Sequence, residues 1–240
     1  TSRKYQQTVG EAKVVYQKGG SIGDIYAGDF MRDANGHIVL TAKGEPTFDK
    51  TGSNDRYLGN MNSKWQMGWT NTFNYKDFQL SVLINGRIGG KVFSLTESYL
   101  DYIGASQRTA DARLAAEKNN IVAKDYGNVP GMVLNDGSGR IVPIQAYYQA
   151  LGASSNPSSY LYSGTNFRLR ELSLGYTFRD VFGMNRNLTL SFIARNLFFL
   201  YKDAPTDPDV SLSTQNGLGA FESFNMPSSR SFGFSVKANF

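Results

Sequence analysis

The sequence predicts an all-β fold and, within that class, a segment of an antiparallel transmembrane β-barrel with long extracellular loops. Three observations predict it: long segments in which apolar and polar residues alternate, an aromatic content of 13%, and short turns that alternate with long irregular connections. A strand in a barrel wall turns one side to lipid and the other to water, so strict alternation is the expected pattern.

The composition excludes several other classes. The 240 residues include no cysteine, which excludes disulfides, thiolate metal sites and a cysteine nucleophile. No stretch approaches the roughly 20 consecutive apolar residues of a membrane-spanning helix. The net charge is +5, but Lys and Arg are scattered without a dense basic run, so we expect no nucleic-acid partner.

The final strand, predicted at 229–240, carries the clearest alternation. Its apolar or small positions are Phe232, Phe234, Val236, Ala238 and Phe240. The positions between them are polar or small. This period of two predicts a strand with one apolar face and one wet face.

Two hairpins precede that strand. The strands predicted at 166–179 and 187–200 alternate in the same way, and the short segment that joins them carries Asp, Gly and Asn, as a turn should. The strands predicted at 64–76 and 77–90 form an earlier hairpin, which turns tightly at 76–77.

Long irregular stretches connect the hairpins. They cover 18–63, 97–165 and 201–228 and are rich in Gly, Ser, Asn, Asp and Pro. Within and before them, residues 107–118 predict a short helix and residues 12–17 a short strand. Short turns on one side and long loops on the other are typical of a membrane barrel, whose turns are periplasmic and whose long loops are extracellular.

The apolar side of each long strand is predicted to face lipid. These side chains are Trp65, Trp69, Phe73, Tyr75, Phe78, Leu80, Val82, Leu172, Leu174, Tyr176, Phe178, Leu190, Phe192, Phe232, Phe234 and Val236. Five of its aromatic members cluster at the short-turn ends, namely Phe73, Tyr75, Phe78, Tyr176 and Phe178, whereas Trp65 and Trp69 lie near the long-loop end. Two aromatic girdles, one at each interface, are what amphipathic rings prefer.

A soluble β-sandwich would show the same alternation, because its inner face is also apolar. Sandwich strands are usually about 5 or 6 residues long, whereas the strands here are roughly 9–14 residues, enough to cross a bilayer when tilted. About five or six strands cannot close a membrane barrel, whose smallest type has about 8. We therefore expect further strands upstream of this chain.

Several motifs occur in a fixed order from residue 10 to the end. They are Tyr57-Leu58-Gly59-Asn60 before Lys64-Trp65, Asn71-Thr72-Phe73-Asn74-Tyr75-Lys76-Asp77-Phe78, Ile84-Asn85-Gly86-Arg87-Ile88-Gly89-Gly90-Lys91, Phe167-Arg168-Leu169-Arg170-Glu171-Leu172-Ser173-Leu174-Gly175-Tyr176, Ala194-Arg195-Asn196-Leu197, Asp207-Pro208-Asp209 and Pro227-Ser228-Ser229-Arg230-Ser231-Phe232-Gly233. In this order they resemble the C-terminal region of SusC/RagA-type TonB-dependent outer-membrane transporters.

This resemblance implies a 22-stranded barrel, roughly the size of other large outer-membrane transporters, of which 1–240 is the C-terminal part. It implies a multi-pass protein of the cell outer membrane that imports glycan oligomers or peptides. It also implies an N-terminal plug and TonB box outside this chain, a SusD-like lipoprotein cap, and dimers of transporter–cap pairs. In such barrels a C-terminal aromatic is read by the assembly machinery, and Phe240 fits that role.

One segment departs from the family pattern. Many members carry an acidic Asp-x-Asn-Gly-Asp-Gly loop that holds calcium, whereas this chain has Asp33-Ala34-Asn35-Gly36-His37. Asp33 and Asn35 are the candidate metal ligands, but His37 stands where a second carboxylate would help. We expect an Asn-Gly turn between Arg32 and Ile38 instead, and no other metal or cofactor.

No residue pattern predicts an enzyme. His37 is the only histidine, and no nucleophile-elbow motif accompanies it. Asp207 and Asp209 are paired carboxylates, but Pro208 between them is typical of a loop turn.

Candidates for substrate or partner contact lie in the long loops and at one strand end. They are Tyr99, Tyr102, Tyr147, Tyr148, Tyr160, Tyr162, Arg168 and Arg170. The tyrosine rings offer flat apolar surface for sugars or pack the loops together. The arginines either line the lumen or form a charge network at the barrel rim with Glu171.

Two other function classes stay open. Another outer-membrane barrel, such as a passive porin or an adhesin, would lack an upstream plug and TonB box. A soluble carbohydrate-binding β-sandwich would fold as a water-soluble monomer, whereas a barrel requires detergent for extraction.

Overall fold

The computed structural model describes residues 5–9, 12–49, 55–154, 156–181, 187–212 and 218–239. The chain is mostly β-sheet and divides into two compact units. Unit 1 comprises Thr1–Asn62, Lys91–Tyr162 and Ser211–Asn225, and unit 2 comprises Ser63–Gly90, Ser163–Val210 and Met226–Phe240.

The secondary-structure elements are numbered in chain order. The strands are β1 (Tyr5–Val9), β2 (Ala12–Tyr16), β3 (Asp24–Ala27), β4 (Arg56–Asn60), β5 (Trp65–Tyr75), β6 (Phe78–Ile88), β7 (Lys91–Ser94), β8 (Val122–Ala123), β9 (Val129–Val133), β10 (Ile141–Pro143), β11 (Leu161–Ser163), β12 (Asn166–Phe178), β13 (Asn187–Lys202), β14 (Phe221–Glu222) and β15 (Ser231–Asn239). The helices are α1 (Leu95–Tyr102), α2 (Gln107–Asn119), α3 (Ile144–Ser154) and α4 (Pro157–Tyr160).

Unit 2 is built on one antiparallel sheet of five strands in the order β15-β13-β12-β6-β5. These strands lie in the five segments that the alternation predicts, and β13 runs on to Lys202. Lys76 has a φ of 52° in the tight turn between β5 and β6. In the part of the chain that the structure describes, the outer strands β5 and β15 each pair on one side only.

A bulge interrupts β12 near its beginning. Leu169 pairs with Ile84 of β6, whereas Glu171 pairs with the adjacent Leu83, so Arg170 is an extra residue in β12. An extra residue in one strand shifts the alternation of side chains beyond it. Arg168 and Glu171 therefore lie on the same face of the sheet, although their spacing would place them on opposite faces of a regular strand.

Unit 1 contains three small sheets and a buried apolar core. The sheets have the orders β1-β2-β3-β4, β10-β9-β8 and β11-β7-β14. The core packs Val14, Ile25, Phe93, Tyr160 and Phe221, all fully buried. The rings of Phe93 and Phe221 meet edge to face, with centroids 5.6 Å apart, a favourable aromatic geometry.

The predicted loops 18–63 and 97–165 contain more regular structure than expected. Helix α2 confirms the helix predicted at 107–118, but β3, β4, α1 and α3 lie in stretches predicted to be irregular. Helix α1 begins at a serine N-cap: Ser94 Oγ accepts a hydrogen bond from the Glu97 N–H, 3.2 Å away. That four-residue signal is what the prediction missed.

Across the described ranges, every helix is too short or too polar to cross a membrane.

Candidate functional site

The strand register of unit 2 places apolar side chains in a continuous row. Phe73 pairs with Leu80, Leu80 with Leu174, Leu174 with Phe192, and Phe192 with Phe234. Directly paired residues of a sheet point to the same side. The row therefore crosses all five strands on one face, which we call the apolar face.

A second row continues the apolar face towards the short turns. Its members, in strand order from β5 to β15, are Tyr75, Phe78, Tyr176, Leu190 and Val236. The rings of Phe78 and Tyr176 meet edge to face, with centroids 4.6 Å apart. This row thus places aromatic rings at the end of the sheet that carries the Lys76 turn.

The apolar face is not covered by the described part of unit 2. Exposed fractions are 54% for Phe73, 49% for Leu174 and 85% for Phe234. The other exposed members of the predicted lipid-facing set are Trp65, Trp69, Tyr75, Phe78, Phe178, Leu190, Phe232 and Val236. The partly exposed members are Leu80, Val82, Leu172, Tyr176 and Phe192. No member of the set is packed into a dry interior.

The opposite side of the sheet, which we call the polar face, carries the alternate residues. One of its rows consists of Asn74, Gln79, Gly175, Ser191 and Ser235. The hydroxyl oxygens of Thr177 and Thr189, in the next row, lie 3.0 Å apart in a cross-strand hydrogen bond. Small and hydrogen-bonding side chains thus lie opposite the apolar rows.

Arg168 anchors a charged network on the polar face. It is buried, its Nη1 lies 3.3 Å from Asp207 Oδ2, and its guanidinium lies 4.5 Å from the centre of the Phe199 ring. It also donates to Ser228 Oγ. A buried arginine between a carboxylate and an aromatic face holds two chain segments in one arrangement.

Neighbouring groups complete this network. Asp207 accepts hydrogen bonds from the Ser228 hydroxyl and from the Asp209 N–H. Burial alone would raise the pKa of Asp207, but these hydrogen bonds and the charge of Arg168 hold it below its usual value. Arg170 Nη1 lies 3.8 Å from Asp209 Oδ2, so both predicted arginines join a structural ion-pair cluster.

The six candidate tyrosines have different surroundings within unit 1. Tyr99 and Tyr102 are exposed on α1, and Tyr147, Tyr148 and Tyr162 are partly buried. Burial, with the nearby Glu97 carboxylate, raises the pKa of Tyr162 to about 12. Tyr160 is fully buried, which places it in the core rather than on a contact surface.

A buried carboxylate explains the position of Tyr160. Its hydroxyl donates to Asp101 Oδ2 at 2.9 Å, and Arg108 Nε donates to Asp101 Oδ1 at 2.9 Å. Burial alone would lower the pKa of Arg108, but the hydrogen bonds and charge of Asp101 raise it above its ordinary value. This network joins α1, α2 and α4, and no sequence motif pointed to it.

The segment with the candidate calcium ligands Asp33 and Asn35 forms a tight turn. Asp33 Oδ1 accepts from the N–H groups of Asn35 and His37, at 2.8 and 3.0 Å, and Arg32 bridges to Ile38. This is the expected turn. In the described stretches, no group of three or more histidine or acidic side chains is arranged to hold a metal ion. Phe240, the predicted assembly signal, lies outside the residues that the structure describes.

The loops of unit 1 also enclose a cleft of about 830 Å³, which sequence reasoning did not find. Its walls are the 41–45 turn, the end of α1, α2, the first turns of α3, and the segment from 125 to 130. These segments are far apart in the chain, so no local pattern could have predicted that they meet.

No protein-family model and no curated protein matches this chain. Solved structures do match. The chain has a TM-score of 0.54 and 10% identity to a chain of the RagAB peptide importer in the open-open state, covering 94% of this chain and 25% of that one. For the closed-closed state of that importer the values are 0.52, 13%, 95% and 26%.

A structure of the RagAB peptide transporter matches with a TM-score of 0.55 and 15% identity, covering 98% of this chain and 24% of that one. The chain therefore spans about a quarter of the length of the solved chains it matches. At such identities the likeness concerns the fold: nearly all of this chain is folded like part of a chain of the RagAB peptide importer.

Proposed function

We propose that this chain forms part of the wall of an outer-membrane transporter of the SusC/RagA type, which imports glycan oligomers or peptides. The observation that carries the proposal is the uncovered row of Phe73, Leu80, Leu174, Phe192 and Phe234 across five strands. The fold likeness to the RagAB peptide importer supports it.

The two faces of the sheet suit two different solvents. Contiguous exposed apolar surface of this extent is uncommon on soluble monomers, because water solvates it poorly. In a bilayer the same face is favourable, and aromatic rings near the strand ends match the depth of the headgroups. The polar face then lines a water-filled lumen, and the Arg168–Asp207 cluster lies on that side of the wall.

Among the described residues, β5 and β15 each have a paired strand on one side only, which supports a larger closed sheet. In lipid an unpaired strand edge costs several kcal/mol per unsatisfied backbone group, roughly the cost of burying an amide without a partner. We propose that further strands pair with both edges and close a 22-stranded barrel, roughly the strand count of the large plugged transporters.

The remaining parts of the mechanism lie outside this chain. A plug fills the lumen, TonB supplies the energy that moves it, a SusD-like lipoprotein caps the pore, and two transporter–cap pairs associate. The chain itself performs no enzymatic chemistry and holds no cofactor. Its strands supply the wall, and the loops of unit 1 contact substrate and cap.

Single cysteine substitutions test which face of the sheet meets lipid, because this chain has no cysteine of its own. Phe234→Cys and Ser235→Cys place a thiol on adjacent, opposite-facing positions of β15. In outer membranes, a water-soluble maleimide should label the Ser235→Cys protein and leave the Phe234→Cys protein largely unlabelled. Leu174→Cys and Ser173→Cys repeat the comparison in β12. Equal labelling of both members of each pair, or release of the protein without detergent, would exclude a lipid-embedded wall.

Uptake tests the transport reaction. Cells that express the full-length protein should accumulate a fluorescent casein digest or fluorescent maltoheptaose, and cells without it should not. A protonophore should abolish the accumulation, because TonB draws on the proton gradient. Uptake that survives the protonophore would point to a passive porin, and loss of surface adhesion instead of uptake would point to an adhesin.

A further inference from the structure

The connection that follows β13 bends where the strand ends. Residues 203–210, which we call the strap, come directly after Lys202, the last residue of β13. The Lys202 ammonium group donates to Pro205 O at 2.9 Å and to Thr206 O at 3.4 Å. The backbone therefore turns at once and does not continue the line of the strand.

The strap runs across the polar face of the sheet. Arg168 Nη1 on β12 lies 3.3 Å from Asp207 Oδ2. On β6, Arg87 Nη1 donates to Pro208 O, also at 3.3 Å. Arg87 pairs with Asn166, two residues before Arg168, so both arginines point to the polar face. From the end of β13 the strap thus passes over β12 and reaches β6.

Two carboxylates fasten the strap to the sheet and to the chain that returns to it. Asp207 Oδ2 also accepts from the Ser228 N–H, at 3.4 Å, and from the Ser228 hydroxyl, so the segment just before β15 is attached to it. Asp209 Oδ1 accepts from Asn166 Nδ2 at 3.4 Å, and its Oδ2 lies 3.8 Å from Arg170 Nη1. The outgoing and returning ends of the long connection between β13 and β15 are therefore held together on β12.

The strap covers the polar face at the long-loop end and leaves it open at the other end. Asn166 and Arg168, beneath the strap, are each 3% exposed. Gln79 lies on the same face near the Lys76 turn and is exposed. A charged arginine is rarely buried to this extent unless other parts of the chain cover and pair it. In the proposed barrel, the strap therefore occupies part of the lumen near its extracellular mouth.

Polar contacts, and not apolar packing, hold the strap in place. Ala204 and Pro208 are the only buried residues of the strap, and neither has a large apolar side chain. Three polar atoms beside these contacts are buried and have no hydrogen-bond partner in the described stretches: Arg87 Nε, Arg168 Nε and Thr206 Oγ1. Water satisfies such groups, so lifting the strap would hydrate them and would expose little apolar surface.

Resting on the transport function proposed above, we propose that the strap limits the size of the solute that passes this part of the wall. A segment laid on a sheet adds a layer about 5–10 Å thick, between the spacing of paired strands and that of packed sheets. Arg87 and Arg168 hold the strap against the wall, so their contacts set the limit. Small solutes pass beside the held strap, whereas the largest require it to lift.

Uptake of size-graded solutes by cells that express the full-length protein tests this role. The probes are fluorescent casein peptides and fluorescent malto-oligosaccharides, each separated into size fractions, and the series that the cells accumulate is the one compared. The measured quantity is the accumulation of the largest fraction divided by that of the smallest. Arg87→Gln with Arg168→Gln removes the two charges that hold the strap, so this ratio should rise several-fold.

Arg195→Gln is the matched control. Arg195 Nε lies 2.8 Å from Glu171 Oε2 on the polar face, and this ion pair includes no residue of the strap. The control removes a positive charge from the same face and should leave the size ratio at its natural value. An equal rise in the control would show that the charge of the wall, and not the strap, sets the limit.

Thiol access locates the strap independently of uptake. Pro205 is exposed on the strap and Lys118 is exposed on α2. In the purified full-length protein in detergent, Pro205→Cys and Lys118→Cys should both react with a small maleimide. A large polyethylene-glycol maleimide should react with Lys118→Cys and only slowly with Pro205→Cys, because the strap lies inside the lumen. Adding Arg87→Gln and Arg168→Gln to Pro205→Cys should speed that reaction.

Two results would overturn the assignment: an unchanged size ratio in a folded double variant, or equally fast reaction of both cysteines with the large maleimide. If the double variant does not form a heat-modifiable barrel, Asp209→Asn is measured in the same two ways, and its results decide.

The labelling of Phe234→Cys and Ser235→Cys and the protonophore-sensitive uptake separate this assignment from the transport function. If both are as expected while the strap results are negative, the transport function stands and only the strap assignment fails. If the natural protein shows no protonophore-sensitive uptake, the transport proposal itself is wrong.

Discussion

The two units arrange polar and apolar side chains in opposite ways. In unit 1 the large apolar side chains Phe93, Tyr160 and Phe221 are fully buried, as in a protein surrounded by water. In unit 2 the apolar row that ends at Phe234 is open, and the buried side chains include Asn166 and the charged Arg168. The two units therefore differ in which side chains they bury: large apolar ones in unit 1, but polar and charged ones as well in unit 2.

In the proposed outer-membrane location, this contrast follows from the different solvents that the two units meet. Unit 1 has a buried core and capped helices, as expected of segments that meet water. Unit 2 leaves its apolar face exposed. In the proposed location, lipid covers this face. Each of the following substitutions changes a buried or an exposed residue in one unit and should affect that unit alone.

The largest effect is expected from Asp101→Ala in unit 1. The substitution leaves Arg108 and the Tyr160 hydroxyl without their carboxylate, and breaking a largely buried ion pair costs about 3–5 kcal/mol. Hydrogen exchange should show α1, α2 and α4 opening together while the strands of unit 2 stay protected. Asp111→Ala, which removes an exposed carboxylate of α2, is the matched control.

Unit 2 should respond most to charge on its apolar face. In the proposed wall, Phe234→Lys places a charge in lipid and should cost about 2–4 kcal/mol if the position lies near the bilayer midplane. Ser235→Lys places the same charge on the polar face and should be tolerated. The fraction of heat-modifiable, folded barrel on a gel measures both. If the two variants assemble equally well, the contrast between the units disappears.

A smaller effect is expected from Asp207→Asn in the polar-face network. Losing a charge-assisted contact to the buried Arg168 should cost about 2 kcal/mol locally. The folded pKa of Asp207 is lowered, so its stabilisation is complete above the ordinary carboxyl pKa of about 4 and is lost as the pH falls further. Proteolysis between 203 and 210 should increase on acidification in the natural protein, and in the variant should be high at every pH.

The smallest effect is expected at the Asp33 turn. Asp33→Ala removes the acceptor for the Asn35 and His37 N–H groups, so their exchange should quicken without a change in the remainder of unit 1. Adding millimolar calcium to the natural protein should leave the exchange unchanged. Slower amide exchange in the presence of calcium would support a calcium site at Asp33 and Asn35, the candidate ligands that the family resemblance suggested.

The sequence predicted unit 2 far better than unit 1. Alternation reports a strand and its two faces directly, so Phe73, Leu174 and Phe234 could be assigned to one face without knowing which strands pair. Arg168 was predicted either to line the lumen or to join a charge network at the rim, but its partner Asp207 is 39 residues away. No local pattern encodes such a pairing.

Unit 1 was harder because its elements are short and its contacts are distant. Tyr160 looked like a loop residue, and only the meeting of α1, α2 and α4 around Asp101 buries it. The cleft has the same origin, since the 41–45 turn meets α3 about 100 residues later in the chain. Local signals such as Ser94 and Glu97 were present but cover only four residues.

Because of the extra residue at Arg170, the even-numbered side chains of β12 lie on one face before the bulge and on the other face after it. After Arg170 in the sequence, even-numbered side chains lie on the apolar face with Leu174. Before Arg170, even-numbered side chains lie on the polar face with Arg168. Losing this one residue would place Leu169 directly before Glu171, so the strand would alternate regularly and Arg168 would stay on the polar face. The regular part of β12 is therefore under tighter length constraint than the bulge: deletion of a single residue such as Ser173 would move the side chains on one side of the gap to the opposite face, whereas deletion of Arg170 would not.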